Sequence, residues 1–104
     1  MTTVKPYLTF RGECQQALDF YQNCFGKGIH LMAYDASPDT PVQQGNTVQL
    51  GVDLDSKEEV TDLFNKLSAE GQSLADPQET SWNAFYARVR DKYGVNWMLN
   101  ADLN

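Results

Sequence analysis

Val48-Gln49-Leu50-Gly51-Val52-Asp53-Leu54-Asp55-Ser56-Lys57-Glu58-Glu59-Val60-Thr61-Asp62-Leu63-Phe64-Asn65-Lys66-Leu67 carries two periodicities in succession. Val48, Leu50, Val52 and Leu54 fall at alternate positions, the period of a strand with one buried face. Ser56 followed by Glu59 then makes a capping box, and Val60, Leu63, Phe64 and Leu67 follow at i, i+3, i+4 and i+7. Gly71 closes the segment. The segment reads as a strand feeding directly into a helix.

Upstream, the same order is present in weaker form. Residues 4–10 alternate, with Leu8 and Phe10 set against Tyr7, Thr9 and Arg11, and predict a strand. Across 13–25, Ala17, Leu18, Tyr21, Cys24 and Phe25 repeat on one helix face, with Gly26 and Gly28 as the stop. A second strand is expected over 29–34. A shift of 43 residues lays Ala17 on Val60, Phe20 on Leu63, Tyr21 on Phe64, Cys24 on Leu67, Gly28 on Gly71 and Leu31 on Leu74, an internal repeat.

Downstream, a short strand is expected over 73–75, then a proline-containing loop, then strands over 83–90 and 95–100. Asp91-Lys92-Tyr93-Gly94 forms the hairpin turn between the last two, with Gly94 free to take a positive φ. The first half has no such hairpin, because residues 35–44 carry Asp35, Ser37, Pro38, Asp39 and Pro41, which is loop chemistry. The expected organisation is one domain over 1–104: a truncated βαβ module over 1–34, a loop over 35–45 and a βαβββ module over 46–104.

Composition bounds the function. Of 104 residues, 41% are hydrophobic and 21% charged, as in an ordinary globular domain. A net charge of -6 repels a phosphate backbone, so nucleic acid is not an expected partner. No apolar run has the length of a membrane helix, and the first residues do not read as a leader, so no membrane partner and a cytoplasmic location are expected. Cys14 and Cys24, on one helix, would stand about 15 Å apart and cannot form a disulfide. Free thiols are expected.

Certain runs are more specific. Pro6-Tyr7-Leu8-Thr9-Phe10, Ala17-Leu18-Asp19-Phe20-Tyr21 with Phe25-Gly26, Gln78-Glu79-Thr80-Ser81-Trp82 and Asp91-Lys92-Tyr93-Gly94-Val95-Asn96-Trp97-Met98-Leu99-Asn100 make the chain resemble the PhnB-like branch of the vicinal-oxygen-chelate (glyoxalase/bleomycin-resistance/dioxygenase) superfamily. The resemblance implies an α+β fold of two βαβββ-type modules with an antiparallel or mixed sheet, helices on the outer face, a cup inside and a homodimer. Here the third and fourth strands of the first module are expected to be absent between Tyr34 and Asn46. The order of elements in the first 75 residues also fits a ferredoxin-like fold with an added C-terminal hairpin.

In metal-dependent members of the superfamily, ligands lie on the first and last strands of each module. The corresponding positions here are Pro6 or Tyr7, Asn46 or Thr47, and Met98 where glutamate would be expected. That set holds no nitrogen or carboxylate ligands, so no metal, no cofactor and no catalytic residues are assigned. Strand parity places Leu8, Phe10, Ile29, Leu31, Val48, Leu50, Val52, Phe85, Val89, Trp97 and Leu99 beneath the helices. The opposite parity carries Tyr7, Thr9, His30, Met32, Tyr34, Gln49, Tyr86, Arg88, Arg90, Asn96, Met98 and Asn100.

From that face the candidate ligand-binding residues are Tyr7, Thr9, His30, Met32, Gln49, Tyr86, Arg88, Met98 and Asn100, joined by Trp82, which precedes its strand and is expected at the rim or in a subunit contact. The pair Arg88 and Arg90 suits a small organic or anionic ligand. Each residue also has a plainer role. His30 reads as a solvated or hydrogen-bonded side chain, the two arginines as partners for the excess acid, Glu79 as a loop or helix-end contact, and Trp97 as a core residue whose indole N–H needs an acceptor.

The function expected is a small-molecule-binding homodimer without metal ligands. Two alternatives stay open: a lyase, isomerase or hydrolase using Tyr86, His30 and Arg88, and a purely structural or regulatory dimer. A methyltransferase is not supported, because no glycine-rich strand-to-helix turn is present to hold S-adenosylmethionine.

Overall fold

A computed structural model describes residues 2, 6–26, 31–37, 42, 45 and 48–103. It divides into two compact units, Met1–Gln44 and Gly45–Asn104.

The second unit contains β3 (Leu50–Leu54), α2 (Lys57–Ser68), β4 (Gln72–Glu79), β5 (Ala84–Arg90) and β6 (Asn96–Asp102). Its strands form one sheet in the order β3-β6-β5-β4, with β3 and β6 parallel and the other pairs antiparallel. α2 starts where the capping residues place it. The Ser56 hydroxyl accepts from the Glu59 N–H at 3.2 Å and donates to Glu59 Oε1 at 3.3 Å. Val60, Leu63, Phe64 and Leu67 are the buried stripe, and α2 packs on β5, β4 and β6. Ala87, Val89, Trp97, Leu99 and Ala101 meet it from the sheet, all buried.

Two glycines and a buried acid fix the ends of this unit. Gly94 adopts a φ of 88° in the β5–β6 turn, as expected. Asp91, buried, accepts from the N–H groups of Tyr93 at 2.9 Å and Val95 at 3.1 Å, and its other oxygen accepts from Trp97 Nε1 at 2.8 Å. The acceptor that the Trp97 indole requires is thus the turn residue itself. Gly71 does not supply a positive φ after α2; Glu70 does, at 61°. Instead a Cβ at Gly71 would run into the Arg90 carbonyl, so this glycine lets two backbones approach.

The expected short strand and proline loop are a single strand, β4, running through Pro77 to Glu79. Pro77 is tolerated because β4 is an edge strand, and register shifts between Ser73 and Ala75 and between Ala75 and Gln78 absorb the irregularity. Val48 is not beneath the helix: it precedes β3 and is 72% exposed.

The first unit contains β1 (Tyr7–Phe10), α1 (Cys14–Phe25) and β2 (Met32–Asp35). The strands form a two-stranded parallel sheet, with α1 as the crossover. Among its described residues Phe10, Ala17 and Tyr21 are buried, with the Phe10 and Tyr21 rings 6.4 Å apart. No residue at the start of α1 caps it through its own side chain. Asp35, at the end of β2, reaches back, and its Oδ1 accepts from the N–H groups of Gly12 at 2.9 Å and Cys14 at 3.0 Å.

This pairing revises which strands are missing. The 43-residue shift sets β2 opposite β4, yet β2 lies parallel beside β1 as β6 lies parallel beside β3. Among the described residues, the strands without a counterpart in the first unit are β4 and β5, the middle pair, rather than the last two. The ferredoxin-like alternative fails on the same observation: it needs β1, β2, β3 and β4 in one sheet, whereas β3 pairs with β6 and β1 with β2 in separate sheets. Residues 27–30, and with them His30 and Ile29, lie outside the described residues, as do Asn46 and Thr47.

Candidate functional site

The sheet of the second unit has one face on α2 and one facing away. Strand register defines the latter as rows of paired residues. One row is Gly51, Met98, Arg88 and Ala75; the next is Asp53, Asn100, Tyr86 and Gln78; a third holds Asn96, Arg90 and Gln72. Four candidate residues lie on this face within the strands, Tyr86, Arg88, Met98 and Asn100, while Gln49 stands just ahead of β3. The core strands present them because each alternates with a residue packed on α2, as Arg88 does with Ala87 and Val89.

Trp82 lies in the turn between β4 and β5, 64% exposed, and meets Tyr86 edge to face with ring centroids 6.1 Å apart. The turn that presents it is tied by Thr80, whose hydroxyl accepts from the Ala84 N–H at 3.2 Å, and by Asn83 at a φ of 62°. Thus the indole and the phenol, four residues apart in sequence, form one aromatic wall at the end of the polar face.

The electrostatics of this face run against the expectation that the arginines meet the excess acid. Lys57, Lys66 and Lys92 each pair with a carboxylate, at 2.7, 3.1 and 3.5 Å from Glu79, Asp62 and Glu70. Arg88 and Arg90 pair with none among the described residues. Arg90 Nε donates to Asn96 Oδ1 at 2.9 Å, and the Asn96 amide donates on to the Gly45 carbonyl at 2.9 Å. Arg88 Nε is buried without a hydrogen-bond partner, as is Gln49 Oε1. A donor and an acceptor are therefore withdrawn from water and left unmet, a costly arrangement for a chain to keep.

The first unit has its own face of this parity. Tyr7, Thr9, Met32 and Tyr34 share it, since Tyr7 pairs with Met32 and Thr9 with Tyr34. The two tyrosines meet edge to face at 6.4 Å, and Tyr7, Met32 and Tyr34 are all exposed. Glu79, expected in a loop, is the last residue of β4, and the ammonium of Lys57 holds its carboxyl below the ordinary range, first by hydrogen bonding and then by charge. Gln78 and Asp53, which share the row of Tyr86, were not among the candidates. The alternation of β3 would have revealed Asp53; Gln78 was masked by its proline neighbour.

The residues do not fit the metal that the superfamily resemblance implies. Met98 faces Gly51 and Arg88, a thioether beside a guanidinium, and no three His, Cys, Asp or Glu side chains gather among the described residues. Nor do the strand-to-helix turns fit a nucleotide-like cofactor. Asp35 occupies the N–H groups at the start of α1, and Ser56 occupies one at the start of α2. The Cys14 thiol is pushed up by burial and then by Asp35, which disfavours the nucleophilic thiolate.

Comparison with known proteins defines the class. The fold matches protein PA1353 from Pseudomonas aeruginosa, with a TM-score of 0.85, 26% identity and 98% of both chains covered. It matches a PhnB protein from Bacillus cereus at a TM-score of 0.82 and 20% identity, over 96% of this chain and 99% of the other. Other solved neighbours are glyoxalase/bleomycin-resistance proteins, so the fold is that of the vicinal-oxygen-chelate superfamily, with the sheet not closed. The chain belongs to the family described as 3-demethylubiquinone-9 3-methyltransferase, which it matches over residues 26–100. It is also 28% identical to protein YjdN of Escherichia coli K12, with 93% of each chain covered. That alignment runs over 137 residues, longer than this chain, so YjdN carries residues that have no counterpart here.

Proposed function

We propose that the chain is a cytoplasmic, homodimeric small-molecule-binding protein whose ligand rests on the polar face of the four-stranded sheet, without a metal. One observation carries this reading: Arg88 Nε and Gln49 Oε1 are both buried and both unpartnered. A ligand bringing an acceptor to Arg88 and a donor to Gln49 removes both penalties at once. Asn100 and Met98 supply further polar and polarisable contact, and Trp82 with Tyr86 gives one end an aromatic wall. Cys14 and Cys24 are not joined in a disulfide, which agrees with a reducing compartment.

The homodimer rests on the first unit. Its two-stranded sheet exposes Tyr7, Met32 and Tyr34, side chains that a second copy would cover. No helix among the described residues is long and apolar enough to cross a membrane.

A thermal-shift panel of small anions, neutral amides and divalent metals tests the binding reading. Stabilisation by an anion or amide, lost on R88Q, is the expected outcome; stabilisation by a metal instead overturns it. Light scattering tests the assembly, and a monomer at micromolar concentration overturns the dimer.

A further inference from the structure

We infer that this face takes an aromatic monocarboxylate, its carboxylate on the Arg88 guanidinium and its ring against Tyr86 and Trp82. The inference rests on the small-molecule reading above and names the chemical class of its ligand.

The charge comes first. The chain has fourteen acidic and eight basic residues, so a cation has an excess of partners to choose from. Three lysines find carboxylates at the surface, where such pairs contribute little. Arg88, whose Nε is sealed from water, finds none among the described residues. A guanidinium stays protonated under any physiological condition, so a neutral occupant would satisfy its hydrogen bonds and leave its charge uncompensated. A carboxylate meets both needs, through the paired N–H geometry of the arginine fork.

A single negative charge also fits better than two. The other arginine on the face, Arg90, already directs its Nε to a neutral acceptor, Asn96 Oδ1, at 2.9 Å. Asp53 stands on the same face beside Asn100, and the whole chain carries a net charge of -6. A dianion such as a phosphate monoester would meet more repulsion from Asp53 and from the net charge of -6 than a monoanion does.

The ring follows from the neighbours of Arg88. Tyr86 is two residues along β5 and points to the same side of the sheet, and its ring holds the exposed Trp82 at 6.1 Å between centroids. Met98 is directly opposite Arg88 on β6. Flat apolar surface on one side and a thioether on the other suit a planar aromatic body better than a flexible chain.

Calorimetric titration of the full chain with benzoate, benzamide, acetate and inorganic phosphate separates the possibilities, with Trp82 fluorescence as a second readout. Benzoate is expected to bind about tenfold or more tightly than benzamide, which lacks the charge, and than acetate, which lacks the ring. R88Q should weaken benzoate by about tenfold or more, R88K by less, and W82F, which alters the ring contact, should remove the fluorescence change and weaken benzoate by less than R88Q does. The comparison among ligands on the unmodified chain stands even if R88Q does not fold. Benzamide or phosphate binding as well as benzoate, with R88K still weakening it, overturns the aromatic-carboxylate class but leaves the binding face intact. Absence of binding by all four at millimolar concentration overturns both.

Discussion

The two units begin alike and are held together differently. Each opens with a strand and a twelve-residue helix, Cys14–Phe25 and Lys57–Ser68. The second helix is written locally: Ser56 caps it, Glu58 and Glu59 lie in its first turn, and Lys66 lies in its last. The first has no acidic residue in its first turn and no basic residue in its last. Its cap is Asp35, 21 residues beyond Cys14 and on another element. Where the hairpin is present, four strands and a helix bury a continuous core; in the first unit, which has no such hairpin among its described residues, one long-range carboxylate secures the helix and an aromatic face is exposed. A shortened module thus survives by replacing local signals with a tertiary one.

That contrast can be broken from the second unit first. D91A removes the acceptor for Trp97 Nε1 and for two turn N–H groups, and should cost about 4 kcal/mol in urea unfolding, because one buried and two part-buried donors lose their acceptor at once. A loss under about 1 kcal/mol would show that the turn holds without it. G71A forces β4 away from the Arg90 backbone and should cost about 2 kcal/mol, although nothing at this position needs a left-handed φ.

The first unit should respond more weakly and more locally. D35A uncaps α1, with an expected loss of about 1 kcal/mol. Hydrogen exchange should quicken in residues 14–17 and leave α2 unchanged; equal change in both helices would contradict separate capping. Q49L has the opposite sign: it deletes an unpartnered buried polar atom, so unfolding should become harder by about 1 kcal/mol while ligand binding weakens.

The smallest effect is electrostatic. Lys57 depresses the Glu79 carboxyl, so the contribution of this pair is present above the ordinary carboxylate value of 4.5 and is lost as pH falls through the lowered value in the folded chain. Thermal melts of the wild type and K57M should differ slightly at neutral pH and converge in acid. A difference that persists below the carboxylate range would assign the effect to the packing of Lys57 over the Phe85 ring, 5.7 Å from its centroid.

Much of the second unit was legible because its signals are short-range. Ser56, the stripe from Val60 to Leu67 and the turn at Gly94 all stand where their spacing places them, and Tyr86, Arg88, Met98 and Asn100 share a face because β-strand alternation has only two outcomes. Pro77 misled, since proline excludes central strands but not an edge with bulges. Val48 misled too, because alternation continued past the residue where pairing begins.

By itself, then, the sequence determined the two βα units and the shared parity of Tyr86, Arg88, Met98 and Asn100, since period and capping are properties of neighbours along the chain. Only the tertiary structure decided that β2 stands beside β1 as β6 stands beside β3, that Asp35 caps α1, that Asp91 receives the Trp97 indole, and that Arg88 meets no carboxylate among the described residues. Hydrogen bonds between strands, long-range caps and ion pairs join residues far apart in sequence. No local periodicity records which distant partner is chosen, or that none is.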